Sequence, residues 1–440
     1  MSDRPRLSVI GTGYLGATHA ACMAELGYEV IGYDVDADKI EALTAGRLPF
    51  FEPELPEMLM KHAGSDRLRF TTSLEEVAEF ADVHFVCVGT PQRADSLAAD
   101  LTYVESAFAT LAPLLTRPVL VVGKSTVPAG TAQRMHELLV ERAGHPQVEL
   151  AWNPEFLREG FAVQDTLRPD RLVFGVRSPW AEERLRDAFA PVIESGTPVL
   201  VTDFATAELV KVAANSFLAT KISFINAMAE VCEVVGADVT QLADAIGYDD
   251  RIGRKFLNAG LGFGGGCLPK DIRAFIARTE ELGVDQAVAF LRDIDDINQR
   301  RRARTVDLAR EVVGGSLAGA RVAVLGAAFK PNSDDIRDSP ALDVAAAVQR
   351  DGATVRVYDP QAMDNARRRH PELAYVESTT AAVTDADVVL LLTEWSEFRT
   401  LDPEAVAVLV ATPAIVDGRN VLDPERWRAA GWHYRSLGRP

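Results

Sequence analysis

The residues that most restrict what this chain can become lie within its first forty. Residues 7–10, LSVI, form an apolar run of strand length that passes directly into Gly11-Thr12-Gly13-Tyr14-Leu15-Gly16. Residues 17–26 keep helical spacing and stop at Gly27, a residue that accepts the left-handed conformation after a helix. Residues 29–33 then read as a second strand, and Asp34 follows it. In a strand, GxGxxG, helix unit the first glycine permits the bend, the second lets a pyrophosphate approach the backbone, and the third lets helix and strand pack closely. The N–H groups opening the helix meet the phosphates. Asp34, eighteen residues after Gly16, is spaced to accept hydrogen bonds from a ribose 2′-hydroxyl. Such an acid favours NAD over NADP, whose 2′-phosphate meets like charge. Lys39 is expected near the adenosine end.

Further strand-like runs at 83–88, 119–122, 148–152, 172–176 and 199–201 alternate with helical stretches, the pattern of a mostly parallel sheet covered on both faces. From residue 205 to about 236 the pattern changes to one long helical stretch. At 1.5 Å per residue it spans roughly 45 Å, and it reads as a connecting spine and subunit interface. More helix is predicted at 237–246, 272–282 and 286–308. Strands return at 321–325, at 354–358 before Asp359, at 386–392 and at 414–417, so the last third reads as a second doubly wound domain. The expected division is 1–203, 204–314 and 315–440.

A length of 440 residues suits two or three domains, and the net charge of −18 argues against a general nucleic-acid binder. No apolar run reaches the ~18–20 residues of a membrane span. Residues 1–6 are polar and lack the apolar core of an export signal, so a cytoplasmic enzyme is expected. Cys22, Cys87, Cys232 and Cys267 lie far apart with no CxxC pair, which disfavours a disulfide scaffold or a metal site.

Three other segments are candidates for chemistry. In GLGFGGGCLPKD, residues 260–271, the glycines are expected to leave N–H groups accessible to anionic oxygens. Pro269 suits a first helical turn, which places Cys267 at a helix N-terminus beside Lys270, where a thiolate is favoured. The other cysteines sit in apolar periodic stretches and read as core. In NPEFLREG, residues 153–160, Glu155 and Glu159 follow a strand, and they share a face if the segment is helical. Lys211 and Asn215 are four apart in an otherwise apolar helix, so Lys211 is expected to meet an anion or to snorkel. Lys124-Ser125-Thr126, Thr90, Lys330, Arg337 and Arg419 all trail strands, where ligands of α/β sheets bind.

Taken in order, GTGYLG, CVGTP, KSTVPAGT, NPEFLREG, KVAANSFLATKISFIN, RIGRKFLNAGLGFGGGCLPKD, FKPNSDDIRDSPA and DGRN resemble the UDP-glucose/GDP-mannose dehydrogenase family across residues 11–420. The resemblance implies an α/β protein of two doubly wound Rossmann-like domains joined by a long central helix and a helical middle domain. It implies NAD-dependent double oxidation of a UDP-sugar primary alcohol through a cysteine thiohemiacetal and thioester. Cys267 matches the nucleophile and Lys211 and Asn215 the oxyanion donors. Asp271 and Thr126 match the water-handling groups, and Glu155 the acid/base. The cofactor contacts carried over are Gly11, Gly13, Tyr14, Leu15, Gly16, Asp34, Lys39, Thr90, Thr126, Glu159, Lys270 and Arg337. The substrate contacts are Glu155, Phe156, Leu157, Glu159, Lys211, Asn215, Arg251, Phe256, Leu257, Asn258, Gly262, Phe263, Gly264, Lys330 and Arg419. The residue matching Arg251 reaches a neighbouring subunit, which implies a homodimer at least. DGRN and the cysteine loop favour UDP-glucose; GDP-mannose is the alternative sugar nucleotide, and a non-catalytic nucleotide-sugar sensor the alternative class. Two departures stand out: Gly266 replaces the usual Ser before the cysteine, and residues 92–99 lack the usual Gly/Asp pattern.

Overall fold

The computed structural model describes residues 4–63 and 65–439; residues 1–3 of the polar leader, and with them that part of the export reading, lie outside it. The chain forms two compact units, Met1–Ala214 with Arg273–Gly283, and Asn215–Ile272 with Val284–Pro440.

The first unit is built on eight strands: β1 (Leu7–Ile10), β2 (Val30–Tyr33), β3 (Leu68–Thr71), β4 (Val83–Val86), β5 (Val119–Gly123), β6 (Val148–Trp152), β7 (Leu172–Gly175) and β8 (Val199–Thr202). They lie in the order β3-β2-β1-β4-β5-β6-β7-β8, parallel throughout except where β7 meets β6 antiparallel at Trp152 and Gly175. Alternation explains the double coverage. Leu7, Val9, Leu120, Val122 and Ala151 enter one apolar cluster, while Ile10, Val119, Val121, Val148, Leu150 and Trp152 enter the other. A strand whose two faces are both buried is apolar at nearly every position, and that is why these runs are so visible in the sequence.

The second unit carries β9 (Arg321–Leu325), β10 (Thr354–Tyr358), β11 (Ala374–Tyr375), β12 (Val388–Leu391), β13 (Ala414–Asp417) and β14 (His433–Ser436), in the order β11-β10-β9-β12-β13-β14 with every pairing parallel. Both sheets thus share one winding scheme. The spine is a single helix, Phe204–Val235. The predicted helix at 286–308 splits into a short 3₁₀ turn, Asp285–Val288, and the helix Phe290–Val312. Sequence reading missed β3, β11 and β14, which are all edge strands. An edge strand needs no fully apolar run. Among the described residues no helix is long and apolar enough to cross a membrane.

Gly123 ends β5 where a Cβ would run into the indole ring of buried Trp152. A Gly123→Val variant is therefore expected to lose about 3 kcal/mol of stability from overpacking, read from the urea midpoint.

Candidate functional site

The glycine turn sits where β1 ends. Gly11 has φ +89°, and a Cβ there would press on Val88 at 2.8 Å. A Cβ on Gly16 would collide with the Gly11 carbonyl, so helix and turn can pack this tightly only without side chains. A Cβ on Gly13 would meet nothing within 4 Å, and this residue opens the helix Tyr14–Glu25 with no side-chain cap of its own. Open backbone at a helix N-terminus, with Leu15 and Tyr14 in the first turn, fits a dinucleotide pyrophosphate. Asp34 is buried and accepts from Thr12 N at 2.9 Å, Asp36 N at 3.1 Å and Lys39 Nζ at 2.9 Å. Burial pushes its carboxyl up, but the Lys39 bond and the two backbone donors outweigh that and hold it below the usual range. Lys39, expected at the adenosine end, is turned back onto the acid. Nearby, Thr90 Oγ1 donates to Thr126 O at 2.8 Å and Ser125 Oγ to Val88 O at 2.6 Å, tying together the loops that follow β4 and β5.

The segment carrying Glu155 and Glu159 is not helical. Glu155 Oε2 accepts from Leu157 N at 2.8 Å, and Oε1 pairs with Lys211 Nζ at 3.1 Å. Lys211 thus meets an anion from the protein itself, and its ammonium lies 5.5 Å from the Phe156 ring centroid. Lys124, expected at the strand edge where ligands bind, is buried. It donates to Asn153 Oδ1 at 2.9 Å, and Asn153 Nδ2 donates to Val173 O at 2.9 Å. Lys124 and Asn153 therefore bridge β5, β6 and β7 at the point where the strand direction reverses. Burial lowers the Lys124 pKa.

The helix Leu268–Glu281 begins immediately after Cys267, whose carbonyl accepts from Asp271 N at 2.9 Å. Cys267 is exposed, while Cys22, Cys87 and Cys232 are buried as expected. Asp271 is buried and binds Asn215 Nδ2 at 2.7 Å and Lys270 Nζ at 2.6 Å. In the glycine run four donors are taken: Gly260 N by Asn226 Oδ1 at 2.9 Å, Leu261 N by Gly418 O at 2.9 Å, Phe263 N by Asn298 Oδ1 at 2.8 Å, and Gly265 N by Arg337 O at 2.8 Å. Its glycines also serve close packing. A Cβ on Gly262 would strike Asn298, on Gly264 the Asp338 carbonyl, and on Gly266 the Arg337 guanidinium. The space that a side chain at residue 266 would need is thus occupied by Arg337.

Arg419 spends its donors on Leu392 O at 2.7 Å, Gly262 O at 3.0 Å and Phe329 O at 3.1 Å, fastening the glycine run to the ends of the second sheet. Lys330 lies beside Phe329, with its ammonium 5.3 Å from the ring centroid. Asn258 accepts from Arg254 at 2.8 Å, Leu257 is buried, and Phe256 holds a left-handed φ of +66°. Arg251 is exposed and paired with Asp249 at 2.6 Å, so within one chain it joins none of the other predicted residues.

Sequence reading missed Glu52 and Glu208. Glu208, one turn before Lys211, accepts from Gly130 N at 2.8 Å and Ala132 N at 2.6 Å, at the start of the helix Thr131–Arg142. Burial lifts it to about 7 against those bonds. An acid inside an otherwise apolar helical stretch was the available signal.

Comparison with known proteins places three family models along the chain, all described as UDP-glucose/GDP-mannose dehydrogenase family: the NAD binding domain at residues 5–193, the central domain at 205–300 and the UDP binding domain at 323–424. A UDP-glucose 6-dehydrogenase of Rhizobium meliloti is 40% identical over 437 residues, covering 99% of this chain and all of that one. Another from Pseudomonas aeruginosa is 41% identical over 445 residues, covering 99% of this chain and 98% of its own. The solved UDP-glucose dehydrogenase of Pyrobaculum islandicum superposes with a TM-score of 0.91 at 40% identity, covering 99% and 98% of the two chains.

Two expectations arise from this geometry. Asp34→Asn releases Lys39 and removes the like charge facing a 2′-phosphate. It should raise KM for NAD⁺ about tenfold and bring the NADP⁺ to NAD⁺ ratio of kcat/KM measurably closer to one. Because Glu208 holds its proton more tightly folded than unfolded, its contribution is complete below about pH 4.5 and is lost as pH rises through about 7. The stability of Glu208→Gln relative to the native protein, read from urea midpoints, should therefore rise between pH 5 and pH 8, by at most on the order of 3 kcal/mol.

Proposed function

Because the chain belongs to the UDP-glucose/GDP-mannose dehydrogenase family, we propose that it oxidises UDP-glucose twice, yielding UDP-glucuronate and consuming two NAD⁺ and one water. The observation that carries this reading is an exposed Cys267 at a helix N-terminus, one turn from the buried Asp271–Asn215 pair. The helix end and the neighbouring Lys270 favour the thiolate.

Bound NAD⁺ supplies the hydride acceptor for each oxidation. In the first, the sugar C6 hydroxyl gives its proton to the Glu155–Lys211 pair as C6 becomes an aldehyde carbon. The Cys267 sulfur then bonds to that carbon, the carbonyl electron pair moves to oxygen, and Lys211 and Asn215 hold the resulting oxyanion. Loss of the second hydride leaves a thioester. Water oriented by Asp271 and Thr126 attacks it, the carbon–sulfur bond breaks, and the thiolate is restored with release of the acid. Glu159, Arg337 and Lys270 are assigned to the cofactor. The loop 256–264, Phe156, Leu157, Lys330 and Arg419 are assigned to the sugar nucleotide.

We assign 1–203 to NAD binding, 204–314 to the catalytic cysteine loop and dimerisation, and 315–440 to the UDP-sugar. Phe217, Phe224 and Val231 are exposed and seven residues apart on the spine helix, an apolar stripe that suits a second copy of the chain. Arg251 is left to serve the neighbouring subunit. The dependence on NAD⁺ and a sugar nucleotide fits a cytoplasmic enzyme.

Absorbance at 340 nm should report two NADH per UDP-glucose at saturating NAD⁺, with GDP-mannose at least about a hundredfold poorer in kcat/KM; the reverse preference would assign the other family substrate. Cys267→Ser should cut formation of the uronate by about a thousandfold or more. Phe224→Glu should shift the light-scattering mass from that of a dimer towards that of a single chain.

A further inference from the structure

Outside the groups already assigned, Glu52 is the buried acid with the most deliberate surroundings. It is 1% exposed. Its Oε1 accepts from Ala162 N at 2.7 Å, and Oε2 accepts both from Gly160 N at 2.6 Å and from the Tyr14 hydroxyl. Gly160 directly follows Glu159 and holds φ +79°, while Ala162 begins the helix Ala162–Leu167. Tyr14 is the first residue of the helix behind the glycine turn, and its ring lies 4.9 Å from that of Phe50. One carboxylate therefore joins the loop that carries Glu159 to the turn that cradles the dinucleotide. All of these residues belong to the first unit.

We propose that Glu52 is a positioning residue that fixes Glu159 against the glycine turn, so that seating the cofactor and placing Glu159 become one event. The proposal rests on the dehydrogenase reading of Glu159 and of the turn. A carboxylate suits the site because Gly160 N, Ala162 N and the Tyr14 hydroxyl all donate to it. Burial, and after it the bond to Glu52, drive the Tyr14 hydroxyl pKa upward, so Tyr14 keeps its proton. A glutamine has the same size but turns one oxygen into an NH₂ group. Either orientation then sets that donor against a backbone N–H.

The test combines Glu52→Gln, Tyr14→Phe and the double variant, with steady-state kinetics, NAD⁺ calorimetry and melting temperature for each. Glu52→Gln should lower kcat at least about tenfold while KM for UDP-glucose stays within about threefold. Tyr14→Phe should weaken NAD⁺ binding about threefold or more with an unchanged melting temperature. The double variant should be no worse in kcat than Glu52→Gln alone, since both cut the same bridge. An unchanged kcat in Glu52→Gln, or losses that multiply in the double variant, overturns the proposal. If Glu52→Gln does not fold, Tyr14→Phe decides alone, and unaltered NAD⁺ affinity overturns it. Native protein that binds NAD⁺ but leaves UDP-glucose unoxidised sinks the functional reading instead, and the NAD⁺ affinities of the variants still judge the bridge.

Discussion

Where a strand ends or a helix begins, backbone N–H groups are left with no ladder to join, and this chain answers that need with buried carboxylates. Asp34 takes Thr12 N and Asp36 N, Glu52 takes Gly160 N and Ala162 N, and Glu208 takes Gly130 N and Ala132 N. In the second unit Asp359 takes Ala327, Ala328, Gln361 and Ala362, while Asp417 takes Arg419, Val421 and Leu422. An orphaned buried donor costs about 1–3 kcal/mol, so these acids decide whether the loops at the strand ends have one conformation or several. Of the groups assigned to catalysis, Glu155 and Thr126 ride on those same loops.

The two sheets share a strand order, yet the acid after the second strand meets different company in each. Asp34 faces an open glycine turn and a lysine. Asp359 is filled by four backbone donors and by Trp395 Nε1 at 3.0 Å. In the second unit no helix opens directly behind Gly326; the next one begins at Pro340. The same winding therefore supports a dinucleotide cradle once and a differently furnished edge the second time, as expected where function resides in the site and not in the fold.

Much of this was legible in the letters. The glycine turn, the central strands, the spine helix and the cysteine at a helix start follow from local patterns of spacing, and local patterns are what a sequence displays. The glycine run at 260–266 was harder to read. Accessible N–H groups and close packing both demand glycine, and only the neighbours Asn298, Asp338 and Arg337 distinguish the two. Glu52 and Glu208, and the burial of Lys124, escaped notice because the partners are distant in sequence, 108 residues away for Glu52 and Gly160. Glu155 and Glu159 were to share a face only if their segment were helical, and that condition is not met, because the segment leaves a strand and is tied to Lys211 and Glu52.

Reliance on buried acids that accept from several backbone N–H groups at once has a genetic corollary. Aspartate and asparagine, like glutamate and glutamine, are separated by one nucleotide, and most cores absorb so small a change in shape. At Asp359 and Asp417 that change would turn an acceptor into a donor where donors already crowd. A catalogue of inactivating alleles would then be populated by residues that never touch a ligand, and reading such a catalogue as a map of the catalytic centre would draw that centre too large.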